Sequence, residues 1–179
     1  MDIFGVNVLG ATTAVGGGIM RDIILGLTPP GAFSHPVYVL VAALTSTILF
    51  VIAYAKPTAF ESRVKTDYYD KLMFWCDTAG LGIFTVVGIQ AAVRAVGGEN
   101  VFFFVFIGTL TGVGGGVLRD IMAGETPYIL VKHIYACAAI AGGIVCVVGR
   151  TAFGEAYGTI LGLAATVLLR FWQLISGGI

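Results

Sequence analysis

Charge is what this sequence has least of. Only 11% of its 179 residues are Asp, Glu, Lys or Arg, against about 25% in a soluble domain. That is too little polar surface to cover a water-soluble globule. The net charge is +0, so the basic excess that nucleic-acid binding needs is missing. Cysteine is scarce too: Cys76, Cys137 and Cys146 lie in apolar runs, with no CxxC and no Cys/His cluster. Neither a disulfide framework nor a zinc site is expected from that pattern. Neither a Ser/His/Asp arrangement nor metal-ligand spacing occurs, so the chain is expected not to be an enzyme, and no cofactor or metal is expected. The opening stretch MDIFGVNVLG lacks a positive n-region and a cleavage site. It does not read as a removable signal peptide.

What is abundant is apolar. Hydrophobic residues make up 58% of the chain, and mean hydropathy is +0.96. Six runs approach or exceed the roughly 20 residues that cross a bilayer: about 3–25, 36–55, 72–93, 100–123, 128–149 and 154–175. Turn and charge signals separate them, such as Thr28-Pro29-Pro30-Gly31, Lys56-Pro57, Glu125-Thr126-Pro127 and Gly149-Arg150. The only sizeable polar loop is Lys56 to Lys71. The runs are too long for membrane β-strands and show no period-2 alternation. The sequence predicts an all-α integral membrane protein, a single transmembrane domain over 1–179. Its 26 glycines suit close helix packing in lipid.

One 21-residue segment occurs twice. Gly10 to Pro30 reads GATTAVGGGIMRDIILGLTPP, and Gly108 to Tyr128 reads GTLTGVGGGVLRDIMAGETPY. The offset is 98 residues without a gap, and 12 of 21 positions are identical. The shared residues include Gly16-Gly17-Gly18 and Gly114-Gly115-Gly116, Arg21-Asp22 and Arg119-Asp120, and Thr13 and Thr111. Each glycine costs a helix roughly 1 kcal/mol relative to alanine, so a doubled triplet in an apolar run points to a use.

From the first copy to the second the chain crosses the membrane three times, an odd number, so the copies point in opposite directions. This is an inverted repeat. The first repeat is expected over 1–55, the second over 72–149, and 154–175 is an unpaired extra helix. Shifting the third span back by 98 lands before Met1, so the first repeat is expected without its first helix in these residues. Lys56, Arg63, Lys65, Lys71 and Lys132, with Arg170 near the end of the last span, outnumber Arg94 and Arg150 on the other side. The positive-inside rule then puts the C-terminus in the cytoplasm.

The doubled Gly-Gly-Gly-x-x-Arg-Asp followed by Gly-x-Thr-Pro resembles the prokaryotic trimeric intracellular cation (TRIC) channel family, whose bacterial domain is also called a putative glycine transporter domain. The stretch from Asp77 to Gly88, DTAGLGIFTVVG, looks like that family's first helix of the second repeat. The resemblance covers essentially the whole chain. It implies a seven-helix protomer of 3+3+1 topology in a prokaryotic cell membrane, a homotrimer with a pore in each protomer, and passive passage of monovalent cations, mainly potassium. This sequence departs from that pattern in having six spans. The Lys-Glu-Val motif that links animal members to phosphoinositide lipid is also missing.

Two readings stand for each candidate residue. The triplets Gly16–Gly18 and Gly114–Gly116 either break their helices, exposing carbonyls to a hydrated path, or let helices approach closely. Thr13 and Thr111 either line that path or bond back to a helix carbonyl. Arg21, Asp22, Arg119 and Asp120 lie on the order of 10 Å from the span centres at 1.5 Å per residue, inside the hydrocarbon. They form charged pore mouths or gates, or structural clamps. Neighbours on a helix do not face each other, so Arg21 is expected to pair across the bundle with Asp120, and Arg119 with Asp22. Asp77 is a cation-site candidate or a helix cap. Gly154, Gly158 and Gly162 form a small-residue packing face. His35 and His133, 98 apart, are expected at the interface or in a pH-sensitive gate. Trp75, Tyr68, Tyr69 and Trp172 are expected as interfacial anchors. The leading function is a potassium-selective channel through the glycine breaks. The alternatives are a small-solute transporter, perhaps for glycine, using the same breaks, and a scaffold without transport.

Overall fold

The structure is a computed structural model and describes residues 1–55, 67–131 and 134–176, without the side chains of 67–70. All regular structure among these residues is helical: α1 (Ile3–Ile24), α2 (Gly31–Ser34), α3 (Val37–Ala55), α4 (Asp67–Val96), α5 (Val101–Ala123), α6 (Tyr128–Val131), α7 (Tyr135–Phe153) and α8 (Glu155–Ile175). The six long helices are apolar enough to cross a bilayer, as their sequence predicts. The run expected from 128 is two pieces, a single turn at α6 and then α7. Lys56, Arg63, Lys65, Lys132 and His133 lie outside the described residues.

Local signals set the helix ends. Asp2 caps α1 by accepting the Gly5 N–H (2.8 Å), and Asn100 caps α5 by accepting that of Phe103 (3.0 Å). The other ends repeat one design. Gly26 (φ +71°) and Gly124 (φ +73°) are both left-handed, a conformation that favours glycine. The next residues, Leu27 and Glu125, donate back to the carbonyls of Asp22 and Asp120 at 2.8 and 2.9 Å. The two copies of the segment therefore end in one geometry.

The glycine triplets do not interrupt their helices. Both α1 and α5 run as unbroken α-helices through Gly16–Gly18 and Gly114–Gly116, which corrects the expected helix breaks. The physical reason lies in the contact between the two helices. A Cβ on Gly17 would collide with the carbonyl oxygen of Thr111, and one on Gly115 with that of Thr13. A Cβ on Gly16 would lie 2.9 Å from Leu118 Cδ1, and one on Gly114 lies 3.2 Å from Met20 Sδ. With 98 subtracted, each pair maps onto the other. Within each row of contacts four residues apart (Thr13 to Gly115 and Gly17 to Thr111; Gly16 to Leu118 and Met20 to Gly114) the number falls on α5 as it rises on α1. The helices therefore cross antiparallel about a two-fold axis, at backbone contact.

Small residues close the other interfaces as well. Gly108 on α5 is pressed against the Thr85 carbonyl of α4 (2.7 Å to an added Cβ). On α8, a Cβ added to Gly158 would lie 2.6 Å from the Cys146 carbonyl oxygen of α7, and one added to Gly162 2.9 Å from the Gly142 carbonyl oxygen. The face of small residues on the last helix is thus a packing face within the protomer, whereas Gly154 is the hinge before it (φ +94°). Val86, Ile89, Phe104, Ile107 and Val147 fill the space between α4, α5 and α7. Only Ser46 of α3 is buried, where it covers Gly10.

The crossing makes a contrast testable. Gly17→Ala and Gly115→Ala should each lower stability by about 1–3 kcal/mol, because a backbone carbonyl stands where the methyl would go. An added Cβ at Gly18 or Gly116 meets only an arginine nitrogen, at 3.8 and 3.9 Å. Gly18→Ala and Gly116→Ala should be neutral or stabilising by up to about 1 kcal/mol. Thermal unfolding of the four detergent-purified variants reads the difference.

Candidate functional site

Beside the crossing lies an open cavity of about 630 Å³ between α1, α3, α4 and α5, with Tyr135 of α7 at one end. Of the residues singled out in the sequence, Thr13, Gly17, Gly18, Thr111, Gly115 and Gly116 line it, with Asp77 and Arg119. Gly16, Gly114, Arg21, Asp22 and Asp120 do not line it. The threonine hydroxyls turn back on their own helices: Thr13 donates to the Leu9 carbonyl and Thr111 to that of Ile107, each at 2.7 Å. Their oxygens therefore remain acceptors at the cavity wall.

The Arg-Asp pairs differ from the expected cross-bundle pairing. Arg21 binds its own neighbour, with Nε and Nη2 each 2.7 Å from Asp22 Oδ1. Arg119 does the same to Asp120, at 2.8 and 2.7 Å. The cause is the second carboxylate oxygen. Asp22 Oδ2 accepts the Gly31 N–H, and Asp120 Oδ2 accepts the Tyr128 N–H, both at 2.8 Å. Each aspartate is thus turned toward its own returning loop, and the long arginine stem wraps around the helix to reach it. The donors are one position out of register for a simple reason. Pro30 occupies the place of Tyr128 in the repeat and has no N–H to give. Both carboxylates are buried, whereas the Arg119 side chain is 42% exposed to the Arg21 side chain's 16%.

Asp77 is not a helix cap, because α4 begins ten residues earlier, at Asp67. It sits at the cavity edge and meets a residue counted from sequence as a flanking charge. Arg170 of α8 is 1% exposed. Its Nη2 donates to Asp77 Oδ2 at 2.9 Å, Nη1 to Gln173 Oε1 at 2.7 Å and Nε to Thr78 Oγ1 at 3.3 Å. The guanidinium lies 4.5 Å from the Phe74 ring centre and 4.9 Å from that of Tyr135. The Tyr135 hydroxyl donates to Asp77 Oδ1 at 3.1 Å. A signal for Arg170 was available: Gly158, Gly162, Thr166, Arg170 and Gln173 form a small-and-polar stripe at helical spacing, and all are buried. His35 and Trp172 are exposed, and Trp75 stacks on Phe171 at 5.9 Å.

Past Asp77 the open space closes. A void of about 10 Å³ is all that remains between Asp77, Gly116, Arg119, Asp120, Tyr128 and Tyr135. Among the described residues no group of His, Cys, Asp and Glu could hold a metal ion. What the arrangement offers is an open, mostly apolar recess at the crossing of two antiparallel helices, with Thr13, Thr111, Asp77 and Arg119 as polar points in its wall. The charges at its edge are balanced in pairs.

These features define a multi-pass helical membrane protein built around a two-fold helix crossing. The sequence pattern of the glycine transporter family matches residues 1–54 and 74–151, and the chain belongs to that family. It is 37% identical over 180 residues to the "UPF0126 inner membrane protein YadS" of Escherichia coli K12, covering 97% of this chain and 82% of that protein. It is 34% identical to a "UPF0126 membrane protein" of Vibrio cholerae, covering 97% of this chain and 70% of that one. Among solved structures it is similar to one described under "Structural basis for conductance through TRIC cation channels", with a TM-score of 0.83, 32% identity and coverage of 99% and 82%. It is also similar to the TRIC trimeric intracellular cation channel orthologue from Rhodobacter sphaeroides, with a TM-score of 0.77, 29% identity and coverage of 98% and 96%. The resemblance noted in the sequence is thus shown by the fold: this is a TRIC-type bundle.

The loop anchors generate a prediction. Asp22→Ala or Asp120→Ala removes the acceptor of a loop N–H and of a half-buried guanidinium, and should cost about 1–3 kcal/mol. Limited proteolysis should then cut faster at 25–30 in the first variant and at 124–127 in the second, with each cut confined to its own loop.

Proposed function

We propose that this chain is a monovalent cation channel, potassium-selective, with one hydrated path in each protomer. The observation that carries the reading is the open recess beside the α1/α5 crossing, with Thr13, Thr111 and Asp77 in its wall, in a fold shared with proteins described as TRIC cation channels. A lone cation in hydrocarbon is costly; threonine oxygens, a carboxylate and water in such a recess replace hydration along the way. Gly17 and Gly115 hold the recess open by bringing two backbones together. Gly16 and Gly114 complete that crossing, and Gly18 and Gly116 leave the wall of the recess without side chains. Arg21, Asp22, Arg119 and Asp120 form two charged mouths, each tied to a loop, and Asp77 faces the path from α4.

The protein acts as a homotrimer in the prokaryotic plasma membrane, surrounded by lipid, with its C-terminus in the cytoplasm. The two copies of the segment belong to inverted repeats over 1–55 and 72–149, and 154–175 is an added helix. Arg170 is buried, so the orientation rests on the loop lysines and arginines alone.

The test is potassium efflux from liposomes containing the purified protein. Cys76 lines the recess, and in a Cys137→Ser background a positively charged methanethiosulfonate reagent should attach there and stop the efflux. Adding Cys76→Ser should remove the block. Saturable glycine uptake with counterflow, and no potassium efflux, would favour a transporter. Efflux that persists after confirmed labelling of Cys76 would place the path elsewhere.

A further inference from the structure

The pairing of Arg170 with Asp77 is lopsided. The guanidinium is 1% exposed at the side chain, whereas the carboxylate is 39% exposed and faces the recess. Arg170 lies five residues past the middle of α8, about 7 Å at 1.5 Å per residue, so it is well inside the hydrocarbon. A long basic side chain at that depth ordinarily snorkels outward. This one is held inside by Asp77, Gln173 and Thr78, with Phe74 and Tyr135 near its carbon centre. Asp77 has one oxygen taken by Arg170 and the other by the Tyr135 hydroxyl. A carboxylate offers about four acceptor positions, so roughly two remain for a visitor from the recess.

A carboxylate in a low-dielectric recess poses a problem for conduction. Binding must be strong enough to admit an ion and weak enough to release it. An unpaired Asp77 would hold a cation tightly, since charges attract more strongly where water is sparse. A fixed positive charge 2.9 Å behind it weakens that hold without occupying the side that faces the recess. Arg119, the other charged residue lining the recess, is matched by Asp120 and adds no net negative charge.

We infer that Arg170 is a tethered counter-ion that makes Asp77 a weak, rapidly exchanging cation site at the edge of the recess. Arg170 is a positioning residue, and Asp77 is the group that touches the ion. The inference rests on the channel reading for its role in flux, but the site itself can be tested without flux.

Arg170→Gln removes the charge and leaves Asp77 with access to water, so the fold has no stranded ion. The expected result is a fall of about tenfold in the potassium concentration giving half-maximal efflux, a slower maximal rate, and block by added barium, because the ion now leaves slowly. Arg170→Lys keeps the charge and should keep the half-saturating concentration. Arg170→Gln with Asp77→Asn removes both charges and should abolish barium block. In detergent, barium should raise the unfolding temperature of Arg170→Gln but not of the double variant. An Arg170→Gln protein with unchanged half-saturation and no barium effect on efflux or unfolding overturns the inference. So does an Arg170→Lys shift as large as that of Arg170→Gln. Wild-type protein without potassium efflux would instead remove the channel reading, and the barium-dependent unfolding shift would still decide whether Arg170 weakens a site at Asp77.

Discussion

Two helix backbones in van der Waals contact are the constraint on which this structure depends. In hydrocarbon no hydrophobic effect drives helix against helix, and close packing with van der Waals contact takes its place. At the α1/α5 crossing the contact is main chain on main chain, through Gly17 with Thr111 and Gly115 with Thr13. Nothing larger than hydrogen fits there. Because the helices run antiparallel about a two-fold axis, the contact is made twice by one set of residues. The recess beside it follows from the same geometry: helices pinned tightly at one point must diverge on either side.

Charge management follows from this packing. The described ionisable groups inside the bundle are satisfied close to home. Asp22 and Asp120 each bind an adjacent arginine and a loop N–H. Asp77 and Arg170 join helices far apart in sequence. The two kinds of pair do different work. The first fastens a loop to the helix that precedes it. The second ties α8 to α4 and leaves a carboxylate at the wall of the recess.

Much of this was legible in the residues. Long apolar runs of helical character marked six spans, all but the one expected from 128 close to their observed bounds, and the 98-residue offset carried over into matching helix ends at Gly26 and Gly124. The sequence could not show whether a glycine triplet breaks a helix or packs it, since glycine permits both. The partner across the interface decides, and here it is a backbone carbonyl. The Arg-Asp pairing is not legible in the sequence for a similar reason. Adjacency on a helix separates Cβ atoms, but it does not limit a side chain as long as arginine once the loop has turned the aspartate. In the sequence Arg170 resembles a flanking charge because it stands near a span's end. Only its stripe with Gly158, Gly162, Thr166 and Gln173 betrays a buried face.

The Gly17 and Gly115 contacts also bear on how this sequence can vary. When two side chains press on one another, a larger one on the first helix can be offset by a smaller one on the second. Here each glycine presses on a carbonyl oxygen, which every residue type carries alike. No change at position 111 can make room for a methyl at 17, nor can any change at 13 make room at 115. Drift at the crossing is therefore closed to compensation by side-chain exchange. It could proceed only if the helices themselves moved apart, and the two-fold arrangement would then change at both contacts together.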